Sequence, residues 1–195
     1  MFDPSRVHLQ IVQRSHEIIK IYARSDKLTH THVKRMWEST RTDETSQIEV
    51  YKVLTDASTV IPDNTLEIVI ESMKQQLEPQ RTTEREVEFI YTIGKNSYHS
   101  SNSRQLSIDV LWEIAMLEKP DYAKSLLKLA RHRVFDLLRT QDRETVETHI
   151  LKCISIIEVK NGASVQAIKL MVKLLQSDKI PKYVYQSAYG HMGYN

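Results

Sequence analysis

Apolar residues recur at helical spacing along almost the whole chain, and the stripes they make predict about nine helices. In the first, Val7, Ile11, Ile18 and Tyr22 share a face widened by Val12 and Ile19, after an Asp3–Pro4 start suited to an N-cap and first helical position. That helix runs to about Arg24. A short second helix, capped by Thr29 or Thr31, carries Val33, Met36 and Trp37. The third holds Val50, Val53, Leu54 and Ala57 and stops before Pro62; the fourth places Leu66, Ile70, Met73 and Leu77 on one side and closes at Pro79. Val87, Ile90, Tyr91 and Gly94 mark a fifth, followed by polar "NSYHSSNSRQ", which reads as the least ordered stretch. The second half is more regular. Ile108, Leu111, Trp112 and Ala115 form a short sixth helix ending at Pro120, with Asp121 in the first turn of the next. The seventh places Ala123, Leu126, Leu127, Ala130, Val134, Leu137 and Leu138 on a core-facing stripe. An eighth carries Val146, Ile150, Cys153, Ile154 and Ile157, Gly162 breaks the chain, and a ninth carries Val165, Ile168, Met171, Val172 and Leu175. The tail, 178–195, begins a further helix at Pro181 and reads as a truncated unit.

One phrase occurs twice. Val33 and Ile108, Met36 and Leu111, Trp37 and Trp112, and Glu38 and Glu113 are each 75 positions apart, as are Val12 and Val87, and Leu54 and Leu129. A period of that size suits two helical hairpins of the roughly 34–47-residue kind found in armadillo, HEAT and tetratricopeptide arrays. The tetratricopeptide signature is missing, because neither tryptophan leads into a leucine-glycine step. A single hairpin cannot bury both its apolar faces, so neighbours must stack. The expected fold is therefore all-α, an armadillo/HEAT-like α-solenoid occupying 1–195 as one repeat segment, with Trp37 and Trp112 packed between neighbouring helices.

Composition narrows the function. Four glycines and five prolines leave little material for hairpins or phosphate loops. The 27 Lys+Arg and 25 Asp+Glu nearly cancel, so no global field calls for nucleic acid or an anionic membrane, and protein partners are the expectation. A single cysteine, the lack of a basic start before a long apolar core, and the lack of an eighteen-residue apolar run suggest a soluble, intracellular chain, cytoplasmic with the nucleus as a second compartment.

Candidate chemistry is sparse. His149 lies four positions before Cys153, within reach on a helix face, yet Cys153 sits inside an apolar stripe where a thiol behaves as a small hydrophobe. His30 and His32 are two apart and point away from each other on a helix, a poor metal pair. "KLARHRVFD", with Lys128, Arg131 and Arg133, is the one local basic run, and because acidic residues flank it on both sides and aromatics are sparse it reads as a solvated helix face rather than an RNA groove. Acidic "DETSQIE" and "TEREVE" complement helix N-termini. No P-loop, dinucleotide fingerprint, HExxH or GxSxG occurs, so no catalytic, cofactor-binding or metal residue is assigned. Tyr185, Tyr189 and Tyr194 near the tail are weak interface candidates.

Four phrases carry a resemblance: "FDPSRVHLQIV", "EIIKIYARSDKLTHTHVKRMWEST", "SNSRQLSIDVLWEIAM" and "HILKCISIIE". They resemble the helical, non-catalytic region of the giant fat-facets-type ubiquitin-specific proteases, over roughly Phe2 to Leu175. The resemblance implies a parent cysteine protease that removes ubiquitin, with armadillo- or HEAT-like repeats that help choose substrates. Neither the family's catalytic cysteine box nor its glycine-rich histidine box is present: Cys153 lies in "ILKCISII" and His191 in "YGHMGYN". The expectation is a non-catalytic scaffold, a fragment of a larger protein, that binds partners or ubiquitinated substrates. A free-standing solenoid adaptor unrelated to ubiquitin and an independent enzyme are the alternatives.

Overall fold

The computed structural model describes residues 9–39, 44–78, 81–96, 100–116 and 123–177, with side chains from Arg14 in the first helix and from Gln47 in the third. The expectations at Asp3, Pro4, Val7, Ile11, Val12, Pro79, Pro120, Asp121 and 178–195, the three tail tyrosines included, lie outside those residues and side chains. Among the described residues there are nine helices and no strand: α1 (Leu9–Arg24), α2 (His30–Ser39), α3 (Glu44–Ala57), α4 (Asp63–Gln75), α5 (Glu84–Lys95), α6 (Ser101–Ala115), α7 (Lys124–Leu138), α8 (Arg143–Val159) and α9 (Ser164–Leu175). No described helix is long and apolar enough to cross a membrane.

Local chemistry sets several of the ends. Pro62 precedes α4 with its fixed φ of −58°, and Asp63 puts a carboxylate in the first turn. The Thr83 hydroxyl accepts from the Glu86 N–H at 3.3 Å at the start of α5, and Asp142 Oδ1 accepts from the Thr145 N–H at 2.8 Å at the start of α8. From Ser100 onward the polar stretch is ordered into the start of α6, contrary to its sequence reading, because serines supply a cap, while 97–99 lie outside the described residues. Ser100 Oγ accepts from the Ser103 N–H at 3.1 Å and donates to Glu67 Oε1 at 3.0 Å, while the Ser100 N–H donates to Asp63 Oδ2 at 2.9 Å. The helix thus starts at Ser101 and is longer than its apolar stripe suggested. At the end of α8 the left-handed residue is Lys160, φ 55°, and not the expected breaker Gly162; no described glycine has positive φ. Asn161 Oδ1 then accepts from the Ala163 N–H at 3.1 Å, and Ser164 Oγ donates to the Ile156 carbonyl at 3.0 Å, closing the turn into α9.

The chain forms two compact units, Met1–Val110 and Leu111–Asn195. Within the first, helices stack on partners two places away: α1 on α3 and α3 on α5 make one layer, and α2 on α4 makes the other. Side chains of Ser100 and Ser103 tie the start of α6 to α4 in that second layer. The second unit shows the same rule in α7 on α9, with α8 against α9 across the layers. Buried aliphatic side chains such as Leu54, Leu66, Ile70 and Ile90 fill the space between the layers of the first unit, each worth about 1.5–3 kcal/mol of burial.

Two stripes differ from expectation, and Ala123, expected on the core-facing stripe of the seventh helix, is instead the exposed, non-helical residue before α7. In α1 the buried residues are Ser15, Ile19 and Ala23, whereas Ile18 and Tyr22 are 45% and 43% exposed. In α9 Ala167, Leu170, Met171, Leu174 and Leu175 face inward, and Val165, Ile168 and Val172 face outward, half exposed. Both helices carry apolar residues on more than one face, and the neighbouring layers cover one face only.

The repeat is real in position but changes register. The 75-residue offset joins Val33 to Ile108 and Met36 to Leu111, all buried. Leu54 is fully buried and Leu129 only partly, so that pairing fails. Glu44, Asp63 and Glu84 begin α3, α4 and α5, while Lys124, Arg143 and Ser164, each eighty residues later, begin α7, α8 and α9. At this second offset Leu54 meets Val134, Ile70 meets Ile150, Met73 meets Cys153 and Ile90 meets Leu170, every one buried. Eleven residues separate Val33 from Glu44 and sixteen separate Ile108 from Lys124, so five extra residues lie in the second interval.

Candidate functional site

The two tryptophans occupy matching helix positions but unlike surroundings. Trp37 is fully buried, and its indole N–H donates to the Tyr51 hydroxyl at 3.1 Å across α2 and α3. The Tyr51 ring in turn lies tilted against Phe89 of α5, centroids 5.8 Å apart, so three helices are locked by one aromatic cluster. Trp112 is partly exposed. Its ring meets the edge of His149 on α8 at 5.1 Å, and the Lys152 ammonium stands 5.9 Å from its centroid.

The thiol reading fails on geometry and on electrostatics. Cys153 is fully buried in the position that Met73 holds one repeat earlier, and burial pushes its pKa up to about 12, the opposite of what a thiolate nucleophile needs. His149 Nδ1 lies 2.8 Å from the Thr145 carbonyl and therefore donates to it, which fixes the tautomer toward the backbone of its own helix. The histidine pair is likewise structural. His32 Nδ1 accepts from the Thr29 N–H at 3.2 Å, the reach-back of a residue three positions into a helix, while His30 is exposed.

The basic run lies on α7, and it divides. Arg133 and His132 face Asp136 at 3.5 and 3.6 Å. Arg131 points the other way and hydrogen-bonds through Nη1 to Gln166 Oε1 of α9. Its partial burial lowers its pKa, without removing its charge at neutral pH. Beside that contact the Lys173 ammonium sits over the Phe135 ring at 5.8 Å, a second link between α7 and α9. Sequence reasoning missed this seam, because its residues come from two segments about 35 positions apart that only the stacking rule brings together.

Layered helices, a repeated register and interiors filled by side chains are the attributes of an armadillo-type array, and the family model that matches is the UBP24/USP9X/USP9Y ARM repeat, over residues 4–192. The chain belongs to this family. Its all-α, armadillo-like solenoid class follows from the same match and the helices above. No curated protein and no solved structure matches. The match is to a helical repeat domain, and the chain is a helical repeat region. Arrays of stacked helical repeats use extended exterior surfaces to bind other proteins, which directs attention to the exposed faces of the ARM-repeat helices.

Proposed function

We propose that this chain is a protein-binding scaffold, the ARM-repeat part of a deubiquitinating cysteine protease that acts in the cytoplasm, and that it holds partners or ubiquitinated substrates near a catalytic domain supplied elsewhere. The family match over residues 4–192 carries this reading. The burial of Cys153, with its thiol pushed up to about 12, supports the non-catalytic half of it.

Two measurements test it. The purified chain is offered a ubiquitin C-terminal fluorogenic substrate, and the same chain carrying photo-crosslinking residues at exposed positions such as Lys52 and Arg139 is expressed in cells. The expected result is no turnover, together with position-dependent adducts to ubiquitin-pathway proteins. Turnover that disappears in Cys153→Ser would overturn the scaffold reading. So would the absence of any polypeptide adduct, and adducts lacking ubiquitin-pathway proteins would leave a free-standing adaptor instead.

A further inference from the structure

The near-zero net charge hides a segregation. In α3 and α5 six carboxylates face three cations in the sequence, whereas α7 and α9, their equivalents eighty residues on, hold six lysines and arginines and one carboxylate, Asp136. That carboxylate is engaged with Arg133 and His132. On α7, Lys124, Lys128, Arg131 and Phe135 follow one another at spacings of four, three and four, a single stripe; on α9, Gln166, Lys169 and Lys173 make another. The Arg131–Gln166 hydrogen bond and the Lys173–Phe135 contact align the two stripes edge to edge. Five cations therefore line one seam. The four lysines are exposed, and among the described residues no carboxylate forms an ion pair with any of them, unlike Lys20 and Lys34, which pair with Glu17 and Glu38.

One register earlier the same seam is built differently. The positions of Arg131, Lys169 and Lys173 are held there by Tyr51, Phe89 and Ile93, all buried, with the two rings in contact. Aromatic packing closes the α3–α5 seam, and the α7–α9 seam presents cations to solvent. Lys124 with Lys128 and Lys169 with Lys173 are like-charge neighbours at a spacing of four, an arrangement that is unfavourable by itself and relieved by an anionic partner. A polynucleotide is the less suitable anion. Phe135 is the sole aromatic on either stripe and lies partly buried beside Lys173, so bases have no stacking platform. An acidic polypeptide needs only charge complementarity along a helix-length surface, about 22 Å for a fifteen-residue helix.

Resting on the scaffold reading above, the geometry points to the α7–α9 seam as a docking surface for an acidic polypeptide segment of a partner protein, contacted by Lys124, Lys128, Arg131, Lys169 and Lys173. The test titrates the full chain into a fluorescein-labelled poly-glutamate peptide, read by anisotropy, with an oligodeoxythymidylate of equal charge as the second arm. Saturable peptide binding is expected. It weakens roughly tenfold or more in Lys128→Glu/Lys169→Glu, survives in Lys128→Arg/Lys169→Arg, and is unchanged in Lys52→Glu, an exposed side chain of α3. Raising ionic strength from about 0.1 M to about 1 M, which shortens the screening length from roughly 10 Å to roughly 3 Å, abolishes it. Circular dichroism verifies that each variant folds. Equal peptide binding by the charge-reversed double variant, or tighter binding of the oligonucleotide than of the peptide, overturns the proposal. If cellular protein adducts persist while the peptide does not bind, the seam assignment fails and the scaffold reading stands; if the adducts are absent as well, both fail.

Discussion

Tyr51→Phe removes one oxygen and nothing else. The ring keeps its tilted contact with Phe89 at 5.8 Å, and what disappears is the acceptor 3.1 Å from the Trp37 indole nitrogen, in a place where both side chains are almost wholly shielded from water. A net hydrogen bond contributes about 0.5–1.5 kcal/mol, and a buried donor deprived of its acceptor costs about 1–3 kcal/mol, so Tyr51→Phe is expected to destabilise the first unit by about 1–3 kcal/mol. Trp37→Phe deletes the donor and leaves a partial cavity, with an expected cost of about 2–4 kcal/mol. In the double variant the donor that lost the Tyr51 oxygen no longer exists, and the combined cost should fall short of the sum by about 1 kcal/mol. Denaturant unfolding followed by helicity gives the four free energies, and amide exchange in α2 and α3 shows that the loss is local. Additivity within roughly 0.5 kcal/mol, or a Tyr51→Phe variant as stable as the parent, would refute the idea that this bond ties the helices together.

Two further outcomes follow from the backbone and from the thiol. Lys160→Gly places the residue with no Cβ at the left-handed end of α8, φ 55°, and should stabilise the protein by about 1 kcal/mol in thermal unfolding; a lower melting temperature would count against strain at that turn. Burial raises the Cys153 pKa from 9.0 to about 12, so the folded state holds its proton where the unfolded chain has lost it. Stability from this residue is complete below pH 9.0 and declines as pH climbs toward about 12, and Cys153→Ala should flatten that decline while the native thiol resists alkylation at neutral pH.

Much of the architecture was readable from spacing alone. The α4, α7 and α8 stripes at Leu66–Ile70–Met73, Ala130–Val134–Leu137 and Val146–Ile150–Cys153 are buried as their periodicity predicts. Periodicity reports that a helix has an apolar face, but not which face a neighbour will cover when there are two. That is why Ile18 and Tyr22 of α1 and Val165 and Ile168 of α9 face outward although their spacing predicts burial. The change of register was hidden for a related reason: Leu129 is apolar like Leu54, and only burial shows that Val134 has its place. Ser100 was illegible as a cap because its anchors, Asp63 and Glu67, belong to another helix. The α7–α9 seam was half visible, since the run around Arg131 stood out and its counterpart on α9 did not.

The next-but-one stacking rule also sets a range. Side-chain hydrogen bonds between non-adjacent helices join residues 33 to 38 apart, about half of the interval after which the pattern recurs. Such an assembly folds from short-range encounters, which favours rapid folding, and damage at one rung need not travel. Gene duplication can add or drop a helix pair without rethreading the rest. Selection can then rewrite the seam of one rung, closed by aromatics in one copy and opened to cations in another, while its neighbours keep their own chemistry.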